Sequence, residues 1–157
     1  MPAFLDTSAL AKIYHGETGT AFVERLLDLQ HSVYVSRVGL VEMQSVLSGK
    51  VRTRTISLAA TGLARLRFRA DIRQRRIRVV ALRVRHYELA ESLIEKHGDT
   101  QGLRTLDSLQ LAVALDLTRN GIANSLVTAD KVLVRVASIE SLTVWDPEVA
   151  VLDDLLT

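Results

Sequence analysis

The chain reads as an α/β protein built on a mainly parallel sheet of about five strands, and three observations carry that expectation. Short β-branched or apolar segments at 3–5, 33–35, 78–82, 125–128 and 142–145 alternate with longer stretches of helical period. Strands spaced by helices favour parallel pairing with helices over both faces, because a parallel connection needs a long crossover. A composition 48% hydrophobic but only 4% aromatic implies the aliphatic core that a sheet covered on both faces needs.

Taken in order, Ala3-Phe4-Leu5 is a short apolar strand that stops at Asp6. A helical pattern near 8–15 runs to Gly16, and Gly16 and Gly19 bracket a break before a helix over 19–30. After the strand at 33–35 come helices near 37–48 and 55–76, the first containing Val38-Gly39-Leu40-Val41-Glu42-Met43. The third strand, 78–82, leads to a helix over 85–97, and Gly98-Asp99-Thr100-Gln101-Gly102 predicts a loop. Residues 105–120 form the most apolar helix, closed by Asn120-Gly121. A strand at 125–128, a helix at 131–139 and a strand at 142–145 complete the pattern, and 149–156 reads as a short packing helix or a contact segment. No repeat, low-complexity tract or linker interrupts it, so one domain over 1–157 is expected.

Without cysteine, disulfides and thiolate metal sites are excluded. No apolar run reaches a membrane span and no signal-like segment opens the chain, so a soluble cytoplasmic protein is expected. The net charge of +2 hides an asymmetry. Residues 50–85 hold Lys50 and eleven arginines against Asp71 alone, which is +11, and the remainder carries −9. Such a block suits a polyanion; it also suits a solvated helix face that docks an acidic protein.

Four carboxylates sit on apolar elements. Asp6 follows Ala3-Phe4-Leu5, Asp130 follows Leu126-Val127-Thr128-Ala129, Glu42 lies inside its apolar helix, and Asp107 opens the run from Leu109 to Leu115. Each has an ordinary explanation by itself. Asp6 and Asp130 stand where helix N-caps stand, Asp107 complements a helix dipole, and Glu42 is placed to pair with Arg37 or another base. Asp116, nearly half a turn round from Asp107 on the same helix, reads as solvated.

As a set they point further. Ligands of open parallel sheets bind beyond the carboxyl ends of the strands, where Asp6 and Asp130 fall. Asp107 also lies at an element end, and only Glu42 must reach the place from mid-helix, on the face of Val38, Ser45, Val46 and Gly49. Converging carboxylates repel by roughly 3 kcal/mol per pair at ~5 Å and an effective dielectric of ~20. Hard divalent cations, Mg²⁺ or Mn²⁺, relieve that repulsion. Ser8, Ser108 and Thr128 accompany three of the acids, either as orienting and phosphate-touching hydroxyls or as plain caps. The histidines at 15, 31, 86 and 97 show no ligand spacing and read as surface or packing residues.

These residues resemble the PIN-domain ribonucleases, and among them the VapC-type toxins of toxin–antitoxin modules. The matching pieces are Phe4-Leu5-Asp6-Thr7-Ser8-Ala9-Leu10, Val41-Glu42, Leu103-Arg104-Thr105-Leu106-Asp107-Ser108-Leu109-Gln110-Leu111-Ala112 and Leu126-Val127-Thr128-Ala129-Asp130. The resemblance spans essentially the whole chain. It implies a three-layer, Rossmann-like α/β/α domain with Asp6, Glu42, Asp107 and Asp130 as catalytic acids around Mg²⁺ or Mn²⁺. Asp6 and Asp107 are then the principal ligands, Glu42 and Asp130 complete the site, and Thr7, Ser8 and Thr128 are its small polar companions. Many relatives have His where Gln110 stands, which is not an acid position. The resemblance further implies a metal-dependent endoribonuclease, with the basic 50–85 segment gripping RNA phosphates near the site. Its implied partners are an antitoxin covering the acids with an Arg or Lys, and a second copy in a homodimer.

Two other classes compete. A phosphotransfer protein also places Asp after a first strand, but the phosphatase pattern wants an acid where Ser8 stands, and a receiver domain wants adjacent acids upstream. A non-catalytic RNA- or protein-binding domain would keep the fold without needing all four acids. A PIN ribonuclease outside any toxin module shares every motif above.

Overall fold

The structure, a computed structural model, describes residues 2–30 and 32–151. Five strands form one all-parallel sheet: β1 (Ala3–Leu5), β2 (Val33–Ser36), β3 (Ile77–Val80), β4 (Ser125–Val127) and β5 (Val144–Trp145), in the order β3-β2-β1-β4-β5. The chain adds β2 and β3 on one side of β1, then returns to add β4 and β5 on the other, so strand order reverses between β1 and β4. That reversal is where open α/β sheets leave a crevice at their carboxyl edge.

β1 sits at the centre, with Phe4 opposite Tyr34 on one side and Leu126 on the other. Successive strand residues face opposite ways, and the core divides accordingly. Ala3, Leu5, Val33, Val35 and Val127 pack under one helical layer with residues such as Leu10, Leu26, Met43 and Phe68. Phe4 and Leu126 face the other layer with Leu93, Leu111 and Leu133. The first layer holds α1 (Thr7–Leu10) with a 3-10 turn (Ala11–Ile13), α2 (Thr20–Gln30), α3 (Arg37–Arg52) and α4 (Leu58–Arg73). The second holds α5 (Val84–Gln101), α6 (Thr105–Arg119) and α7 (Lys131–Ile139). The expected α/β/α architecture is present, and among the described residues no helix is long and apolar enough to cross a membrane.

Three expectations need correction. The loop predicted over 98–102 is the last turn of α5, which runs to Gln101 and stops at Gly102 in the left-handed region (φ 75°). A glycine inside a helix costs only about 1 kcal/mol relative to alanine, and a side chain at Gly98 would crowd Ile94. Asp116 is not simply solvated. It accepts from the Arg85 guanidinium at 2.8 Å and lies 3.0 Å from His86 Nε2, and the Arg85 bond holds its carboxyl down at about 2. The basic segment is not one free patch. Lys50 pairs with Glu17, Arg65 bonds Gln44 and Ser48, Arg67 pairs with Glu24, Arg76 pairs with Asp28 and Asp71, and Arg85 is taken by Asp116.

Arg52, Arg54, Arg69, Arg73 and Arg75 stay exposed. Arg75, in the turn before β3, lies at the amino end of the strands, at the sheet edge opposite Asp6. His86 and His97 are buried against Asp116 and Glu140, tying α5 to α6 and to the end of α7. Most of the segment expected over 149–156, and His31, lie outside the described residues.

Candidate active site

Each of the four acids reaches the carboxyl edge of the sheet through an element that ends or begins there. Asp6 terminates β1 and caps α1, and its Oδ2 accepts from Ser8 Oγ at 2.7 Å, Ser8 N at 3.2 Å and Thr128 Oγ1 at 3.0 Å. Asp130 follows β4 and caps α7, its Oδ1 accepting from the backbone N–H groups of Val132 at 2.8 Å and Leu133 at 2.9 Å. Asp107 lies in the first turn of α6, and its Oδ2 accepts from Arg104 Nε at 3.0 Å. Glu42 comes from within α3, and its Oε2 accepts from Thr7 Oγ1 at 2.8 Å and Gln110 Nε2 at 2.6 Å. Among the described residues no basic side chain pairs with Glu42, and this hydroxyl and amide stand where a pairing with Arg37 or another base was expected.

A common pattern runs through the set. In each carboxylate, protein donors fix one oxygen and leave the other available. Asp6 Oδ1, Glu42 Oε1 and Asp107 Oδ1 take no protein donor among the described residues, and Asp130 Oδ2 has only Arg104 Nη2 at 3.4 Å. No buried side-chain oxygen or nitrogen among the described residues lacks a partner, so these free oxygens reach solvent. Capping and a functional role are therefore compatible: the cap consumes one oxygen and orients the other.

The charges also feel one another. Burial raises the Glu42 carboxyl above its ordinary range, and repulsion from Asp6 and Asp107 adds to the shift against the hydrogen bonds from Thr7 and Gln110. Burial likewise raises Asp107, with Asp130 and Asp6 pushing the same way and Arg104 opposing them. This mutual repulsion places all four acids in one electrostatic neighbourhood. Beside them lies a cleft of about 330 Å³ lined by Glu42, Arg104, Thr105, Leu106 and Asp107. It adjoins a largely apolar groove of about 470 Å³ lined by Val38, Val41, Ser45, Val46 and Leu106.

The donor set fits a hard divalent cation. Carboxylate and hydroxyl oxygens suit Mg²⁺ or Mn²⁺, and neither sulfur nor imidazole is at hand. Among the described residues, however, no three acids close on one point as a finished shell. Asp107 and Asp130 both turn to the Arg104 guanidinium, which supplies positive charge between them.

Two residues matter beyond those the sequence marked. Gln110 is buried; it accepts from Ser36 Oγ at 2.5 Å and donates to Glu42 and, at 3.1 Å, to Thr7 Oγ1. It lies one helical turn from Asp107 on the same face of α6, a spacing that marks it. Arg104 stands three residues before Asp107, the spacing of a helical ion pair. The start of α3 presses close to this network, since a side chain at Gly39 would meet Gln110 Nε2 at 3.3 Å and Thr7 Oγ1 at 3.4 Å. Of the two roles open to Ser108, the structure shows the plainer: its hydroxyl donates to the Thr105 carbonyl at 2.8 Å, and the residue lines a separate groove between α5 and α6.

A family model for the PIN domain matches residues 3–139. Among solved structures, the fold is similar to that of VapC20 from Mycobacterium tuberculosis, described as a sarcin-ricin loop cleaving toxin. That match has a TM-score of 0.64 at 21% identity, covering 95% of this chain and 99% of the other. PAE2754 from Pyrobaculum aerophilum matches with a TM-score of 0.61 at 15% identity, over 99% of this chain and 87% of the other. FitAcB from Neisseria gonorrhoeae matches with a TM-score of 0.59 at 12% identity, over 94% and 99%. No curated protein matches by sequence. At these identities the likeness to the solved structures is one of fold.

Proposed function

The chain belongs to the PIN-domain family, a family of nucleases, and on that premise we propose that it is a metal-dependent endoribonuclease acting as the toxin of a toxin–antitoxin module. The observation that carries this reading is the pattern at the carboxyl edge: four electrostatically coupled carboxylates, each with one oxygen fixed and one available. We assign Asp6 and Asp107 as principal ligands of Mg²⁺ or Mn²⁺, with Glu42 and Asp130 completing the site. The chain acts as one domain over 1–157.

A divalent ion held there supplies acidification of water and neutralisation of charge on the phosphodiester. The chain's own residues do the rest. Thr128 and Ser8 hold Asp6 by its Oδ2, so its Oδ1 keeps a fixed direction. Thr7 and Gln110 do the same for Glu42, so its Oε1 keeps a fixed direction from which to complete the site or orient the attacking water. With Tyr, Phe and Trp scarce, RNA is held by its backbone more than by base stacking. The reading agrees with a sarcin-ricin loop cleaving toxin of the same fold.

The exposed Val41 and Leu106 rim the acids, and the apolar groove beside Glu42 offers an antitoxin peptide a seat from which an Arg or Lys enters the carboxylates. A homodimer in the cytoplasm completes the proposal.

The test is cleavage of RNA by the purified protein after metal removal. Protein treated with EDTA is expected to lose cleavage, and added Mn²⁺ or Mg²⁺ to restore it. Undiminished cleavage in excess EDTA rules out the metal-dependent reading.

A further inference from the structure

We infer that Arg104 competes with the divalent cation for Asp107 and Asp130, and that its guanidinium, once displaced, is free to hold the RNA phosphate. This rests on the metal-site reading above. Arg104 donates from Nε to Asp107 Oδ2 at 3.0 Å and from Nη2 to Asp130 Oδ2 at 3.4 Å. One cation thus bridges acids that come from two different elements; it takes the Asp130 oxygen that the backbone cap leaves available, and it neutralises charge on Asp107 that a metal ion would use.

The burial of the partners is unequal. The Arg104 side chain is 72% exposed, while those of Asp107 and Asp130 are 15% and 27% exposed. Asp130 is held by two backbone N–H groups and Asp107 is far less exposed than the arginine, so exchange moves the arginine. Arg104 occupies the N-cap position of α6 without a side-chain cap bond, so moving its guanidinium away removes no cap hydrogen bond from the helix. An ion pair this exposed is weak, and a dication facing four carboxylates outcompetes it. The competition still lowers the metal affinity of the native protein.

The displaced guanidinium remains on the wall of the cleft that holds Glu42 and Asp107. A planar, two-armed donor released beside a metal site matches a phosphate geometrically. Metal binding thereby exposes a phosphate-binding group that the metal-free site keeps occupied. Arg104 acts on the metal as a competitor and on RNA as a ligand, and these roles respond oppositely to its removal.

The test is Mn²⁺ binding by calorimetry together with KM for RNA cleavage at saturating Mn²⁺, in wild type, Arg104→Ala, Arg104→Lys and Arg119→Ala. Arg104→Ala is expected to bind Mn²⁺ on the order of threefold to tenfold more tightly, while its KM for RNA rises. Arg104→Lys, which keeps the charge but loses the two-armed grip, falls between and carries the test if the alanine variant fails to fold. Arg119→Ala removes the same charge at the far end of α6, roughly 22 Å along the helix, and is expected to match wild type in both measurements. Mn²⁺ affinity in Arg104→Ala equal to or weaker than wild type overturns the inference, as does an equal tightening in Arg119→Ala. If wild type binds Mn²⁺ and Arg104→Ala does not bind it more tightly, only this inference falls. If neither binds Mn²⁺, the metal-site reading falls with it.

Discussion

Asp6→Asn is expected to reduce Mn²⁺-dependent RNA cleavage by at least about 10³-fold, on the scale of losing a group that stabilises charge in a reaction, without loss of the fold. Asp6 is buried at the end of the central strand, and its Oδ2 is the acceptor for three donors. Asparagine serves a helix N-cap as well as aspartate does, so α1 keeps its start. What disappears is a negative charge from a set whose members repel one another. The melting temperature in metal-free buffer is therefore expected to equal or exceed that of wild type. A large fall would mean that Asp6 is mainly structural. Full cleavage by the folded variant would remove it from the mechanism.

Gln110→Ala is expected to damage stability and activity together. The change deletes the donor to Glu42 and Thr7 and the acceptor for Ser36, leaving a buried hydroxyl and a half-buried carboxylate short of partners. Each orphaned polar group costs about 1–3 kcal/mol, so a loss of roughly 2–4 kcal/mol follows. For a chain of this size that lowers the melting temperature by about 5–15 °C. Glu42 then loses its fixed direction, and misplacement of a reacting group on the ångström scale costs up to about 10²-fold in rate. Gln110→His keeps a ring N–H donor and should recover part of both losses. Thermal melts and single-turnover cleavage measure the two effects separately. An alanine variant with wild-type melting and rate would show that the network does not position Glu42.

The sequence carried the sheet and its alternation because apolar strands of three to five residues separated by amphipathic helices admit few other arrangements. Asp6 and Asp130 were legible because each directly follows an apolar strand, and Asp107 because a carboxylate opens the most apolar helix. Sequence reasoning placed the capping role and the site role of these acids in competition. The structure shows that the two roles are compatible, since the bonds that hold Asp6 and Asp130 at their helix starts engage one carboxylate oxygen of each and leave the second clear of them.

What stayed hidden was mostly partnership. Gln110 looked neutral because its importance lies in contacts with Ser36, Thr7 and Glu42, which are 74, 103 and 68 residues away in sequence. Arg104 received no role from the sequence because its second partner, Asp130, belongs to another element. The basic run from 50 to 85 seemed one patch because sequence proximity does not reveal which arginines acids on neighbouring elements claim. Gly98 suggested a break because glycine is a poor helix former, but α5 continues past it to Gln101, and Gly102 N–H closes the last turn on the Gly98 carbonyl.

If the four carboxylates act together as a cation site, the folded protein binds Mn²⁺ through them. Calorimetric titration of wild type and Asp107→Asn, each checked for folding by its melting temperature, separates the possibilities. The account predicts saturable Mn²⁺ binding by wild type and at least about tenfold weaker binding by the folded Asp107→Asn, a difference of roughly 1.4 kcal/mol or more. Equal Mn²⁺ affinity in the two proteins, or no binding by wild type, would contradict it.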